Sequence, residues 1–411
     1  MPALASLLLL LAASAEPPRF RAGLEVSALG LPAVSGLYLS VLPVASYDGG
    51  EHFGLELGAS LRLSRAGLRR EDWDSPSDFG QLLRELRAGV EGGAVSLRAG
   101  ALGPLSLGTG RLVRRYDGTL NPDYHPAGAL LGVRAGAVRG ELLASDLLGA
   151  RLLAAEARWD AGGALGLGEE RLSCALSAAH DAGLAGGRAP EASLASAEVM
   201  GVPWRGAGAA VGALASVGAR LFVPGWGAAA GLLVDASPGG HGLSLQLEGR
   251  YQEAGFRHGF FGPDHELRRL SGLGLSGVPV QDERLPPGPS VAATLQWQLP
   301  RSAEREAPLS LVLSAERFAH GRWDGDGALS WLLGGGAHAV GLRGGVTGLG
   351  LPGLARPWLF AEGRARVAPA VYVVASGGTV FFPEPADGAG GSTRLRPGVQ
   401  GSLGVGLDLA R

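Results

Sequence analysis

From Pro397 to Arg411, Val399, Leu403, Val405, Leu407 and Leu409 share one parity, while Gln400, Ser402, Gly404, Gly406 and Asp408 share the other. Successive side chains of a strand point to opposite faces, so this stretch has one apolar face and one small or polar face. Its length suits a tilted strand across a bilayer, which takes about 9–11 residues. The same pattern recurs upstream. Phe53–Leu63 sets Phe53, Leu55, Leu57, Ala59, Leu61 and Leu63 against Gly54, Glu56, Gly58, Ser60 and Arg62. Leu243–Tyr251 sets Leu243, Leu245, Leu247 and Tyr251 against Ser244, Gln246, Glu248 and Arg250. Val95–Ala101, Val291–Leu299, Leu309–Ala315 and Leu359–Val367 repeat the scheme, with Arg98, Glu362, Arg364 and Arg366 on the polar side. A helical period of 3.6 produces none of these runs.

In a soluble sandwich the polar face looks to water and is rich in charge. Here it is mostly Gly, Ala and Ser with scattered Arg and Glu, which suits a membrane barrel with aliphatics outside and a wet lumen. Turn-rich segments near 66–79, 116–127, 252–289 and 383–397 hold much of the Pro, Asp and Asn, as loops do. Allowing roughly 22–26 residues per strand and connection predicts an all-β, transmembrane antiparallel β-barrel of about 16 strands, in a range of about 14–18. The last strand is expected to close the sheet by pairing near Arg21–Leu29.

Composition narrows the alternatives. The 411 residues include 70 glycines and are 46% hydrophobic and 18% charged, against about 25% charged in ordinary globular chains. The glycines follow no Gly-X-Y period, and the apolar share is too high for a disordered chain. A net charge of -2 offers no footprint for nucleic acid. All strong cations are arginine, which fits codon bias better than phosphate reading. A single cysteine, Cys174, leaves no intramolecular disulfide and no Cys-based zinc site. Met1–Ala15 reads as a secretory signal, with a short leucine core and an Ala-Ser-Ala cleavage site. Residues 16–411 then form one barrel domain. The most apolar later stretch, Gly206–Val234, is interrupted by Arg220, Pro224 and glycines, so no spanning helix is expected.

Signal, serial alternating strands and terminal strand together resemble a Gram-negative outer-membrane β-barrel of porin-like type. Leu105–Tyr116 and Phe256–Arg268 resemble segments of large, poorly characterised barrels. Barrels of this class commonly end on an aromatic residue, whereas this chain ends Leu409-Ala410-Arg411. Aromatics are only 6%, with Trp204, Trp226, Trp297, Trp331, Phe360, Phe381 and Phe382 near apparent strand ends. The resemblance implies an outer-membrane location, contact with lipid and handling by the insertion machinery. It also implies a channel for passive diffusion of small hydrophilic solutes. The alternative class is a structural or assembly barrel with periplasmic or envelope-complex partners, serving secretion, polysaccharide export or motility.

Candidate chemistry is sparse. Glu56, Arg62, Arg98, Glu248, Arg250, Glu362, Arg364 and Arg366 should face inward, because an Arg at mid-depth on the lipid face costs about 2–4 kcal/mol. They either line an aqueous pore or pair with one another and fill the interior. His258, Asp264, His265 and Glu266 belong to the longest connection. That connection is a solvated outer loop, a constriction folded into the lumen, or a metal site, although His-x6-His matches no ligand geometry. Asp72, Asp74 and Asp78, and Asp324 and Asp326, look like pieces of calcium loops but lack the closing bidentate Glu; ordinary Asp turns explain them. Gly108-Thr109-Gly110 lacks the Lys and the following helix of a phosphate loop. No nucleophile, base and orienting group can be placed at one site. Neither catalysis nor a cofactor is expected.

Overall fold

The computed structural model describes residues 19–30, 37–120, 124–149, 151–183, 191–253, 255–266, 284, 286–300, 308–333, 337–351, 355–385 and 393–410. The expected signal, Met1–Ala15, lies outside them. Strand segments β1 (Arg19–Gly30), β2 (Leu37–Asp48), β3 (Phe53–Gly58), β4 (Leu61–Ser64), β5 (Gly67–Leu68), β6 (Leu83–Ala88) and β7 (Val95–Gly100) open the chain. Then come β8 (Gly128–Ala135), β9 (Val138–Ala144), β10 (Leu152–Asp160), β11 (Leu172–Asp181), β12 (Ala192–Gly206), β13 (Ala209–Leu221), β14 (Trp226–Ala236) and β15 (Gly242–Gln252). The rest are β16 (Gly288–Gln298), β17 (Leu309–Phe318), β18 (Trp323–Leu333), β19 (His338–Leu349), β20 (Arg356–Ala368), β21 (Val371–Pro385) and β22 (Thr393–Ala410).

Neighbours in sequence are neighbours in the sheet, always antiparallel. β3 and β4 both lie along β2 and are two halves of one strand; β5 merely folds back on β4. The described wall therefore has 20 strands, more than the expected 16 and outside the range 14–18. The excess comes from the turns. Gly136-Ala137, Ala207-Gly208 and Pro369-Ala370 connect whole strands with two residues each, so the allowance per strand was too generous. Gly136 and Gly208 have φ of 58° and 78°, the left-handed backbone that two-residue hairpins require. At the other end of the chain, strands reach to Pro385 and resume at Thr393. Much of the loop expected near 383–397 is thus a paired two-stranded tip, with its prolines clear of a second neighbour.

The sheet closes where the alternation suggested. Arg21–Gly30 pairs with Ala410–Gly401 in one unbroken register, so among the described strands no edge is left. An even number of strands puts Arg19 and Ala410 at one rim, here the terminal rim. The two-residue turns share that rim, and β4, β7 and β15, after which the long connections begin, all end at the far rim.

The two faces follow the two parities. Leu359, Leu403, Val291 and Val405 are exposed on the outside, while Glu248, Arg250 and Ser290 are buried on the inside. Closure predicts a cross-link. In a Cys174→Ala background, Val26→Cys with Val405→Cys, directly opposite at the seam, forms a disulfide on mild oxidation. Val26→Cys with Leu403→Cys, a diagonal pair about 7–8 Å apart, does not. Equal cross-linking of both pairs on a denaturing gel would contradict the register.

Candidate functional site: a strap across the lumen

Between β7 and β8 the two-residue period stops, and residues 101–120 enter the barrel. Gly108 has a left-handed φ of 51°, and a Cβ there would collide with the Glu156 carboxylate. The bare backbone lets Gly108 N donate to Glu141 Oε2 at 2.7 Å and Thr109 N donate to Glu156 Oε1 at 3.1 Å. Further along, the Arg111 guanidinium bridges Glu198 and Glu248 Oε1, the latter at 2.7 Å. Arg114 donates to Thr294 and to Ser314 Oγ. Arg115 pairs with Asp326, and Arg343 with Asp117. These wall partners sit on β9, β10, β12, β15, β16, β17, β18 and β19.

These partners lie on opposite sides of the lumen. β9 and β19 have nine wall strands between them on either side, so they face each other. Twenty strands about 4.8 Å apart and tilted by roughly 40° close a ring about 40 Å across. Leu105 and Tyr116 exchange both backbone hydrogen bonds, at 3.0 and 2.8 Å, and Leu107 N donates to Val113 O at 3.1 Å. Residues 105–116 thus double back as a hairpin, and the side chains of Glu141, Glu156, Arg115, Asp117 and Arg343 cover much of the distance to the wall. Through them the hairpin links strands on opposite sides of the lumen and divides it. Beyond Asp117, Leu120 packs with Trp358 and Phe360 of β20. Phe360 therefore faces inward, not the rim that its position suggested.

A second insert from the β15–β16 connection fills one side of the strap. Val113 and Phe261 form a parallel bridge. Arg114 N donates to Phe261 O at 3.0 Å, and Phe261 N to Leu112 O at 3.0 Å. Phe256, Phe260 and Phe261 join Leu107, Leu112, Tyr116 and the wall residues Leu143, Leu152 and Leu194 in one apolar core. This is a packed protein interior inside a barrel. At roughly 1.5–3 kcal/mol per fully buried large side chain, it outweighs any single polar contact.

The polar contacts set the orientation. Glu248 also binds Arg250 Nε at 2.6 Å, and Arg250 reaches Glu316 at 2.8 Å. Arg111, Glu198, Glu248 and Arg250 each have side chains at most 5% exposed, so these charges depend on one another. His265 Nε2 lies 3.1 Å from Asp181 Oδ2, both fully buried. Tyr116 OH donates to Glu266, and Thr347 Oγ1 donates to Asp264. Burial first, then the Arg250 and Arg111 charges, push the His258 pKa down to about 3, so His258 stays neutral at ordinary pH.

On the other side of the strap the inner face is wet. From β20 through β22 and β1 to β8, inward charges keep much of their surface: Arg87 is 50% exposed, Arg364 45% and Arg84 40%. Arg98, Arg134 and Glu362 are also exposed. Arg84 pairs with Glu56 at 2.8 Å, and Arg366 with Asp408 at 2.8 Å. At the far rim the 65–82 connection leans over this half. Its Asp72 is buried and gathers Arg62 at 2.8 Å, Arg69 at 2.5 Å and His125 at 3.7 Å. Arg69 in turn covers the Tyr38 ring.

Of the sequence-named residues, the structure joins Glu248 and Arg250 to the strap. Glu56, Arg62, Arg98, Glu362, Arg364 and Arg366 share the inner parity of the open half. His258, Asp264, His265 and Glu266 all lie buried in the second insert. Asp72 holds arginines, Asp324 receives Arg322 and Gly348 N, and no group of His, Cys, Asp or Glu among the described residues gathers as metal ligands. Arg111, Arg114, Arg115 and Asp117 were missed. Their signal was a long non-alternating stretch whose Leu105, Leu107, Leu112 and Val113 are too apolar for a solvated loop.

No family model matches the chain, and no curated protein matches it. Among solved structures it is similar to OccK11 (OpdR) of Pseudomonas aeruginosa, with a TM-score of 0.39, 12% identity and 96% of each chain covered. It is also similar to a BenF-like porin from Pseudomonas fluorescens Pf-5, with a TM-score of 0.40, 10% identity, and 97% of this chain and 100% of that one covered. The outer membrane protein opdK of Pseudomonas aeruginosa gives 0.37 and 11%, covering 96% and 99%. Likenesses this loose assign nothing to the site.

Two outcomes are expected. Arg111→Ala leaves Glu198 and Glu248 as buried neighbours without their shared cation, a change worth about 3–5 kcal/mol. Hydrogen exchange of residues 108–117 should accelerate at least a hundredfold, and unchanged exchange would contradict the bridge. Burial raises the Asp72 pKa, but His125, Arg62 and Arg69 outweigh it, and the net shift is downward. A lowered carboxyl pKa stabilises the fold above its unfolded value and loses that contribution as pH falls through the folded one. Proteolysis of 65–82 should therefore stay slow until pH drops below the usual carboxylate range. Loosening near neutral pH would contradict this.

Proposed function

We propose that the protein is an outer-membrane channel through which small hydrophilic solutes diffuse passively along the open half of the lumen. The observation that carries this reading is the contrast between the two halves. The inner-face charges that meet the strap are buried beneath protein, and most of those on the other side face water, with Arg62 covered by the 65–82 connection. A wet, charge-lined passage beside a packed partition is what a size-limited channel needs. The strap limits width, and the 65–82 connection narrows the far mouth. His258, Asp264, His265 and Glu266 act here as filling that fixes the partition.

The membrane placement rests on the outer face. Trp323 and Trp331 both point outward from β18, one near each rim. The eight residue steps of tilted strand from one to the other span a height of about 20 Å, close to the apolar band of about 25 Å in outer-membrane barrels. Trp226 and Tyr251 join the far-rim band, and Trp159 and Trp204 the terminal-rim band. Outer-membrane lipid is then the main contact of the wall, delivered to it by the insertion machinery. The short turns place the terminal rim in the periplasm.

Planar bilayers test the reading. Purified protein should give discrete conductance steps; silent barrels would overturn it and leave a structural or assembly role. In a Cys174→Ala background, Arg98→Cys should react with a bulky water-soluble thiol reagent and step the conductance down. Ser196→Cys, buried in the filled half, should not respond. The opposite pattern would place the passage on the wrong side of the strap.

A further inference from the structure

On the terminal-rim side of the strap, the filled half contains a recess of about 240 Å³. Its inward side chains come from four adjacent strands in two rows. Asp235, Ser244 and Gln296 are direct cross-strand partners, as are Gln298 and Ser310. Gly242 opens the space between them, since a Cβ there would lie 2.7 Å from the Gln298 side chain. The recess is roofed by the strap. Thr294 and Ser314, further along β16 and β17, are the residues that Arg114 holds. Gln246, next above Ser244 on β15, donates to Glu248. The recess therefore opens to the terminal rim and is closed towards the far rim.

We infer that this blind recess is a binding site for a neutral polyhydroxylated solute of about one hexose ring. Its polar groups are the reason. Asp235, Ser244, Gln296, Gln298 and Ser310 make no side-chain hydrogen bond to another described residue, and Asp235, Gln296 and Gln298 are exposed to the recess. Two carboxamides supply both donors and acceptors, two hydroxyls do the same, and one carboxylate can accept from two vicinal hydroxyls. No arginine lines the recess, so an anion finds no counter-charge. Trp297, the one aromatic residue of the lining, has the outward parity of Val291 on β16, so a single carboxylate gives a cation little to hold beyond one ion pair. Burying the solute's hydroxyls against matched partners is favourable, and a solute lacking them would strand the amides. The site goes beyond the channel reading and does not need it, because a blind recess binds without conducting.

Ligand-observed saturation-transfer NMR on the folded, detergent-solubilised barrel tests this. D-glucose is the probe, and gluconate is the anion of matching size. Transfer to glucose should be clear and transfer to gluconate at least tenfold weaker. Gln296→Leu combined with Gln298→Leu should remove the glucose signal while keeping the folded band on an unheated gel. Asp235→Asn serves as a milder variant, weakening glucose about fivefold, if the double variant fails to fold. No transfer to glucose, equal transfer to gluconate, or full transfer in the folded variants would each overturn the inference. Conductance recorded on the same preparations separates this outcome from failure of the channel.

Discussion

The Arg111 guanidinium, shared between Glu198 and Glu248, is the contact on which the interior depends. A carboxylate moved from water to protein pays a desolvation cost that only a close partner offsets. Glu198 and Glu248 sit on wall strands three apart, and one cation from a different part of the chain satisfies both. Arg250 and Glu316 extend the same network sideways. The wall thus carries charges that make sense only with the strap in place, and the strap carries arginines that make sense only against this wall. Apolar packing supplies most of the energy, but it has no direction. The ion pairs fix where the strap crosses.

From that crossing the rest follows. A hairpin tied to opposite sides of the wall gives two compartments of unequal character. One is completed by the second insert into a packed core, with His265, Asp181, Tyr116 and Glu266 locked inside. The other keeps its arginines and carboxylates in water. Twenty strands would otherwise enclose a hole far too wide to discriminate among small solutes. The partition lets a large barrel have a narrow passage, without asking the wall itself to contract.

The wall was legible in the sequence because its code is local. Alternation in Phe53–Leu63, Leu243–Tyr251 or Pro397–Arg411 assigns faces residue by residue, and closure near Arg21–Leu29 follows from the need to bury an edge. Strand number was less legible, since two-residue turns such as Gly136-Ala137 leave almost no mark in composition. The strap was not legible as a strap. Arg111 and Glu198 are 87 positions apart, and no local period announces a pairing at that distance. The four residues His258, Asp264, His265 and Glu266 stood out by chemistry alone, while their burial depended on Phe256, Phe260 and Phe261 finding Leu112 and Val113. The arginine-rich run Arg111–Arg115 broke the alternation, which marked the place without revealing its partners.

Exclusion of neutral polymers from a single reconstituted channel tests the divided lumen most directly. Poly(ethylene glycol) fractions of increasing size, added to both sides, lower conductance only while they fit inside. If the strap halves the lumen, the cutoff falls at a diameter well under half of the roughly 40 Å ring. A cutoff matching an empty barrel of that width would contradict the account.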